Sequence, residues 1–228
     1  FQGYPLTDND ALLSNADVSG IFSGDGAALF DIYNRYVQAN YLNVPDGLPS
    51  LEAALQVIQD ENGDLSVSQW VAQIQNILWE TCTYQKDNLE SVHDGSNVIE
   101  DFFGRQRKGY CTHFASAGVM MLRMAGIPAR YVTGYVIWPD DFKADSASDG
   151  YMADVTGYRG HAWVEVYNAS QGIWVPVDMT PVDSVQTSNY LPTQENSGHS
   201  ESTDNVSNHY TDSTETISDT GDTGNYTE

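Results

Sequence analysis

Residues 109–128 read GYCTHFASAGVMMLRMAGIP. From Cys111 or Thr112 to about Ala125 the stretch is apolar nearly all round, through Phe114, Ala115, Ala117, Val119, Met120, Met121, Leu122 and Met124. That pattern predicts a helix buried on every side. Gly126 suits a left-handed C-terminal cap, and Pro128 forbids continuation. A buried helix that opens on cysteine is also a chemical arrangement. Unpaired N–H groups and the positive end of the helix dipole favour a thiolate there, and the thiolate is the nucleophilic form. Taken alone, Cys111 is equally well a structural cysteine at a helix start.

Three strand-like runs follow, Arg130–Trp138, His161–Tyr167 and Ile173–Asp178, rich in Tyr, Val and Trp. An Asp- and Gly-containing loop, 139–160, separates the first two. In the second run His161, Trp163, Glu165 and Tyr167 share one face, and in the third Trp174, Pro176 and Asp178 do. A hairpin with a four-residue loop, Asn168–Gln171, sets Tyr167 opposite Gly172 and His161 directly opposite Asp178. A slip of one residue would put the two on different faces. The result is a nucleophile, a base and an orienting carboxylate, Cys111, His161 and Asp178. A half-buried histidine and a turn aspartate are common singly; their joint fit to one geometry favours chemistry.

Upstream the reading is helical. Ala28 to Leu42 carries Phe30, Tyr33, Val37 and Tyr41 at helical spacing, before Pro45 and Pro49 break the chain. Ser50 is the expected N-cap of a short helix ended by Asn62-Gly63. Ser66 or Ser68 starts the next, whose stripe Trp70, Val71, Ile74, Ile77, Leu78 and Cys82 makes Cys82 a buried small hydrophobe. Helices first and an antiparallel sheet afterwards give an α+β class, with the Cys111 helix packed on the sheet.

Charge bounds the partners. The chain has 228 residues, with 32 Asp plus Glu against 9 Lys plus Arg and a net charge of −23. Such a surface gains nothing from counterion release on nucleic acid and is repelled by anionic lipid headgroups, so neither partner is expected. No apolar run approaches the roughly 18 residues of a membrane span. Nine acids and no base fall in 183–228, a Ser-, Thr-, Asn- and Asp-rich stretch read as a disordered acidic tail or linker. The division expected is a lead-in, 1–40, a catalytic domain, 41–182, and that tail. The start at Phe1, without Met or signal segment, reads as a piece of a longer protein.

The stretch from Gly109 to Ala115, and then Leu122 to Arg130, resembles the nucleophile helix of the transglutaminase-like superfamily. His161-Ala162-Trp163-Val164-Glu165-Val166 and Trp174-Val175-Pro176-Val177-Asp178-Met179-Thr180-Pro181 resemble its histidine and aspartate motifs. The likeness spans about residues 70–182. Upstream, Tyr41-Leu42-Asn43-Val44-Pro45 resembles the lead-in of bacterial membrane-anchored members, whose extracytoplasmic domain lies between transmembrane segments. The resemblance implies a papain-like α+β fold, a Cys111, His161 and Asp178 triad, a bacterial cell-surface location and a protein or peptide substrate. Thr112 departs from the usual acidic residue and Met179 from the usual proline; neither removes a reacting atom.

The activity implied is a thioester enzyme, with transamidation of protein glutamine first and a cysteine protease or amidase as the alternative. Both use the same three residues. Arylamine acetyltransferase-type chemistry fits the motifs less well, and a non-catalytic cell-surface binding module is the rival from another class. No cofactor and no metal are called for. Asp145, Asp149, Gly150 and Asp154 fail as a calcium loop, because Ala147 and Thr156 stand where oxygen ligands are needed. The second oxyanion donor is left open between Gln106 and Tyr110. Arg105, Arg107 and Lys108 are either a solvated face or an aid to the thiolate and to an acidic acyl donor.

Overall fold

The computed structural model describes residues 25–87, 89–90 and 97–181. The expected tail, 183–228, and most of the lead-in lie outside them. Helix α1 (Asp25–Asn40) is followed by α2 (Pro49–Asn62) and α3 (Val67–Thr81), then strand β1 (Thr83–Tyr84). A short α4 (Val98–Glu100) runs into a π-helical turn (Asp101–Gln106), which leads through β2 (Lys108–Gly109) into α5 (Cys111–Met124). The strands β3 (Ala129–Tyr135), β4 (Lys143–Asp145), β5 (Gly150–Met152), β6 (Gly160–Asn168) and β7 (Ile173–Val177) complete it.

The α+β arrangement follows from which faces are apolar. α5 is clad in buried side chains, Phe114, Ala115, Ala117, Met121 and Leu122 being wholly enclosed, so something must cover it all round. α2 and α3 pack on one side and the antiparallel sheet, ordered β3-β6-β7, on the other. The sheet presents Ala129, Ala162, Val164, Val166, Val175 and Val177 to the same core. The opposite sheet face carries polar and aromatic groups. Arg130 pairs with Glu165 and lies 4.3 Å over the Trp174 ring. α1 covers that face, with the Tyr167 hydroxyl donating to Asn34 at 2.6 Å and Trp174 Nε1 to the Tyr33 hydroxyl at 2.7 Å.

Helix ends explain one departure from the sequence reading. Of the two expected starts, Ser66 and Ser68, it is Ser66 that caps, in a capping box with Gln69. Ser50 does not cap. Pro49 takes the first helical position, where its missing N–H costs nothing, and Ser50 is thereby inside the first turn. Its free N–H instead donates to both Glu100 carboxylate oxygens at 3.1 Å.

The hairpin register also differs. Tyr167 pairs with Trp174 and Asn168 with Ile173, so the expected pairings of Tyr167 with Gly172 and of His161 with Asp178 are wrong by two residues. The loop is Ala169–Gly172 because the turn, not the strand, needs the glycine. Gly172 sits at φ 69 and its N–H closes on the Asn168 carbonyl at 2.8 Å. Asn168 Oδ1 collects the N–H groups of Ser170 and Gln171 at 3.1 and 3.3 Å. A shift of two keeps every side chain on its face. Continuing the ladder past Val164 and Val177 puts Asp178 across from Trp163 and diagonal to His161.

The expected loop 139–160 is partly ordered as a hairpin, β4 on β5. Asp141 pairs with Arg159 and accepts from the Trp138 N–H at 2.8 Å, pinning its root.

Candidate active site

Cys111 is the first residue of α5, and its predecessors are fixed by main-chain bonds. β1 and β2 run parallel, Thr83 N–H reaching the Arg107 carbonyl at 2.8 Å and Gln85 N–H the Gly109 carbonyl at 2.7 Å. A side chain at Gly109 would collide with His113 and Phe102, its Cβ lying 2.8 Å from each. His113, unremarked in the sequence reading, takes the Tyr110 N–H on Nδ1 at 3.3 Å. The Tyr110 carbonyl in turn accepts from His113 and Phe114. The first two N–H groups of the helix, on Cys111 and Thr112, have no carbonyl acceptor within it.

His161 is the second residue of β6 and Asp178 the first past β7. Their side chains meet, Nε2 of His161 lying 2.7 Å from Asp178 Oδ2. The other carboxylate oxygen accepts the Thr180 N–H at 2.9 Å. Cys111, His161 and Asp178 are each only 8% exposed. Two side chains of α3 hold the segment that carries the carboxylate, Gln75 donating to the Asp178 carbonyl at 2.8 Å and Trp79 to that of Met179 at 2.9 Å. α5 comes close beneath it at Gly118, where a Cβ would lie 2.5 Å from Met179 Cγ. Trp163 stacks beside the imidazole, ring centroids 6.3 Å apart and planes at 19°. Gly134 makes room for that indole.

With Nε2 engaged by the carboxylate, Nδ1 is left for Cys111. Burial acts to raise the Cys111 pKa. Hydrogen bonds from His161 and from the Ala162 N–H, the charge of His161 and the Thr112 N–H outweigh it and hold the thiol below its ordinary range. Burial likewise opposes charge on His161, but its bonds to Asp178 and Cys111 and their negative charges push its pKa up to about 9. The two shifts run in opposite directions and favour a thiolate–imidazolium pair. Cys82 shows the contrast: burial pushes its thiol up to about 12, against the charge of Arg107. Both cysteines are free.

A cleft of about 680 Å³ opens on Cys111 and His161, walled by Lys86, Tyr110 and Thr112 and by Thr133, Gly134, Tyr135, Gly157, Gly160 and Ala162. Of the two oxyanion candidates, Tyr110 lines the cleft and Gln106 does not. The Gln106 amide is turned to Asp101 Oδ2 and the Glu90 carbonyl. Arg105 of the basic cluster is likewise engaged by Asp101 and Glu90. None of Arg105, Arg107 and Lys108 lines the cleft, and Lys86, which the sequence reading passed over, does. Asp145 directs its oxygens to the Ala147 N–H and the Ser148 hydroxyl within its own turn.

A sequence model described as the Transglutaminase-like superfamily matches residues 52–179. An uncharacterized protein, YebA of Bacillus subtilis (strain 168), is 33% identical over 141 residues, 61% of this chain and 19% of that protein. A protein-glutamine gamma-glutamyltransferase of Pseudomonas aeruginosa is 38% identical over 92 residues, 40% of this chain and 13% of the relative. The crystal structure of the periplasmic domain of TgpA from Pseudomonas aeruginosa, bound to ethylmercury, matches with a TM-score of 0.50 at 29% identity. That match covers 64% of this chain and 49% of the other. The chain thus spans a fifth or less of the curated relatives it matches. Among the described residues no helix is long and apolar enough to cross a membrane.

Proposed function

Because the chain belongs to the transglutaminase-like superfamily, we propose that Cys111, His161 and Asp178 form the catalytic triad of a protein-glutamine transamidase. The observation that carries the reading is the 2.7 Å contact of His161 Nε2 with Asp178, on an imidazole that also hydrogen-bonds the Cys111 thiol. The 38% identical stretch of the glutamyltransferase favours amine over water as acceptor. The location of the TgpA domain favours an extracytoplasmic setting, and membrane anchoring by segments beyond this one belongs to the same proposal. The catalytic unit is proposed to span 41–182, with 183–228 as its linker.

The steps follow from the geometry. The Cys111 thiolate attacks the glutamine carboxamide carbon, and the developing oxyanion takes the Cys111 N–H at the start of α5. His161, protonated in the resting pair, gives its proton to the leaving nitrogen. The C–N bond breaks, ammonia departs, and the acyl group stays on sulfur as a thioester. An amine then attacks that carbonyl, His161 takes the proton the amine loses, and the isopeptide leaves as the C–S bond breaks. The ion pair is thereby restored. Asp178 fixes the imidazole with Nδ1 toward sulfur and stabilises its charged form. Water in place of the amine gives hydrolysis through the same thioester.

The test is incubation with a fluorescent primary amine and a glutamine-rich protein, alongside Cys111→Ala. Amine incorporation that the substitution abolishes is the expected result. Fragmentation of the protein without incorporation would move the assignment to a protease.

A further inference from the structure

All nine Lys and Arg residues lie among the described residues, and Lys86 alone of them lines the cleft. Among the described residues no acidic side chain lines it. Other cations are engaged in holding the fold: Arg105 on Asp101 and Glu90, Arg130 on Glu165 and Arg159 on Asp141. Arg123 donates to the carbonyls of Ala129 and Asn43. Lys86 is exposed and has no ion-pair partner among the described residues. Its backbone is nonetheless fixed. It follows Gln85, whose N–H is bonded to the Gly109 carbonyl two residues before the nucleophile.

We propose that Lys86 selects acyl donors that carry a carboxylate beside the reacting group, such as glutamine next to Asp or Glu. The inference rests on the acyl-transfer reading for its substrate, and on charge alone for its sign. Physiological salt screens charges farther away than about 8 Å, so most of the net charge of −23 does not reach a donor in the cleft and local charges decide. Among the residues lining the cleft, the lysine is the one charged side chain apart from the Cys111–His161 pair. The same charge disfavours a cationic side chain beside the reacting group of the donor.

The experiment has two arms. In the first, Cys111 of the wild type, Lys86→Ala and Lys86→Glu is alkylated by iodoacetate and by iodoacetamide at low salt. This arm needs no turnover. The rate ratio of the anionic to the neutral reagent should fall about threefold in Lys86→Ala and about tenfold in Lys86→Glu, with the iodoacetamide rate unchanged. An unchanged ratio overturns the proposal. In the second arm, kcat/KM is compared for glutamine peptides flanked by Glu, Ala or Lys. The wild type should favour the Glu peptide by a fewfold through KM, and Lys86→Glu should reverse the order. Equal rates for the three peptides would also overturn it. A shifted reagent ratio with no amine incorporation from any peptide would refute the transamidase reading and leave the anion-selective cleft standing.

Discussion

Asp178→Asn separates the role of the carboxylate from that of its shape. The Thr180 N–H binds one carboxylate oxygen at 2.9 Å, so the amide oxygen of an asparagine must stay there. Its NH₂ then faces Nε2 of His161, in place of the oxygen at 2.7 Å. A donor opposite Nε2 forces the imidazole proton onto Nδ1, toward Cys111, and the ring can no longer receive the thiol proton. Charge is lost as well. His161 is raised from 6.5 to about 9, which is about 3 kcal/mol in favour of its protonated form at 1.36 kcal/mol per unit. Asp178, by its hydrogen bond and its charge, leads the causes that raise it, with Cys111 adding to them and burial opposing both, so losing the carboxylate removes a preference on the order of a few kcal/mol. With the tautomer error added, kcat should fall about a hundredfold or more, with KM little changed. The inflection in the pH dependence of Cys111 alkylation should move upward, because the imidazolium that helps hold the thiol low is weakened. A variant whose alkylation profile superimposes on that of the wild type would refute this account of the pair.

Further outcomes follow from the same geometry. The proposed mechanism needs a deprotonated Cys111 and a protonated His161. Activity should therefore fall as pH rises through about 9, and fall on the acid side at a pH below the ordinary thiol range; a single rising limb that persists past pH 9 would contradict the ion pair. In the native protein one thiol should react with iodoacetamide at neutral pH and two in denaturant, since Cys82 is buried and raised to about 12; equal native labelling of both would count against that contrast. Gly118→Ala puts a Cβ 2.5 Å from Met179 Cγ, which should cost about 1–3 kcal/mol by overpacking. The loss, read by urea unfolding, should be smaller in a Met179→Ala background, and full additivity would show that the contact is not the cause.

The elements were legible where a period was strong. α5 shows its apolar girdle from Phe114 to Met124, and the α3 start shows as Ser66 or Ser68. The faces of β6 and β7 were legible too, because a period of two survives an error of two. The register itself was not, since the turn is decided by the left-handed backbone of Gly172 and the side-chain bonds of Asn168. Ser50 was misread because its partner, Glu100, is 50 residues away, and local capping rules do not see it. The groups that bear on the thiol divide in the same way. Cys111 and His161 announce themselves by residue type, whereas the Ala162 N–H reveals nothing in sequence. Lys86 was hidden behind the denser cluster of Arg105, Arg107 and Lys108. Only the pairing of β1 with β2 shows which basic residue stands at the cleft.

The central claim is a thioester on Cys111. Rapid acid quenching of the protein with a glutamine donor peptide and no amine, followed by intact-mass measurement, tests it directly. The account predicts an adduct of the donor less ammonia, located on Cys111, absent from Cys111→Ala and discharged by a primary amine. Amine incorporation that proceeds in Cys111→Ala, with no adduct on the wild type, would contradict it.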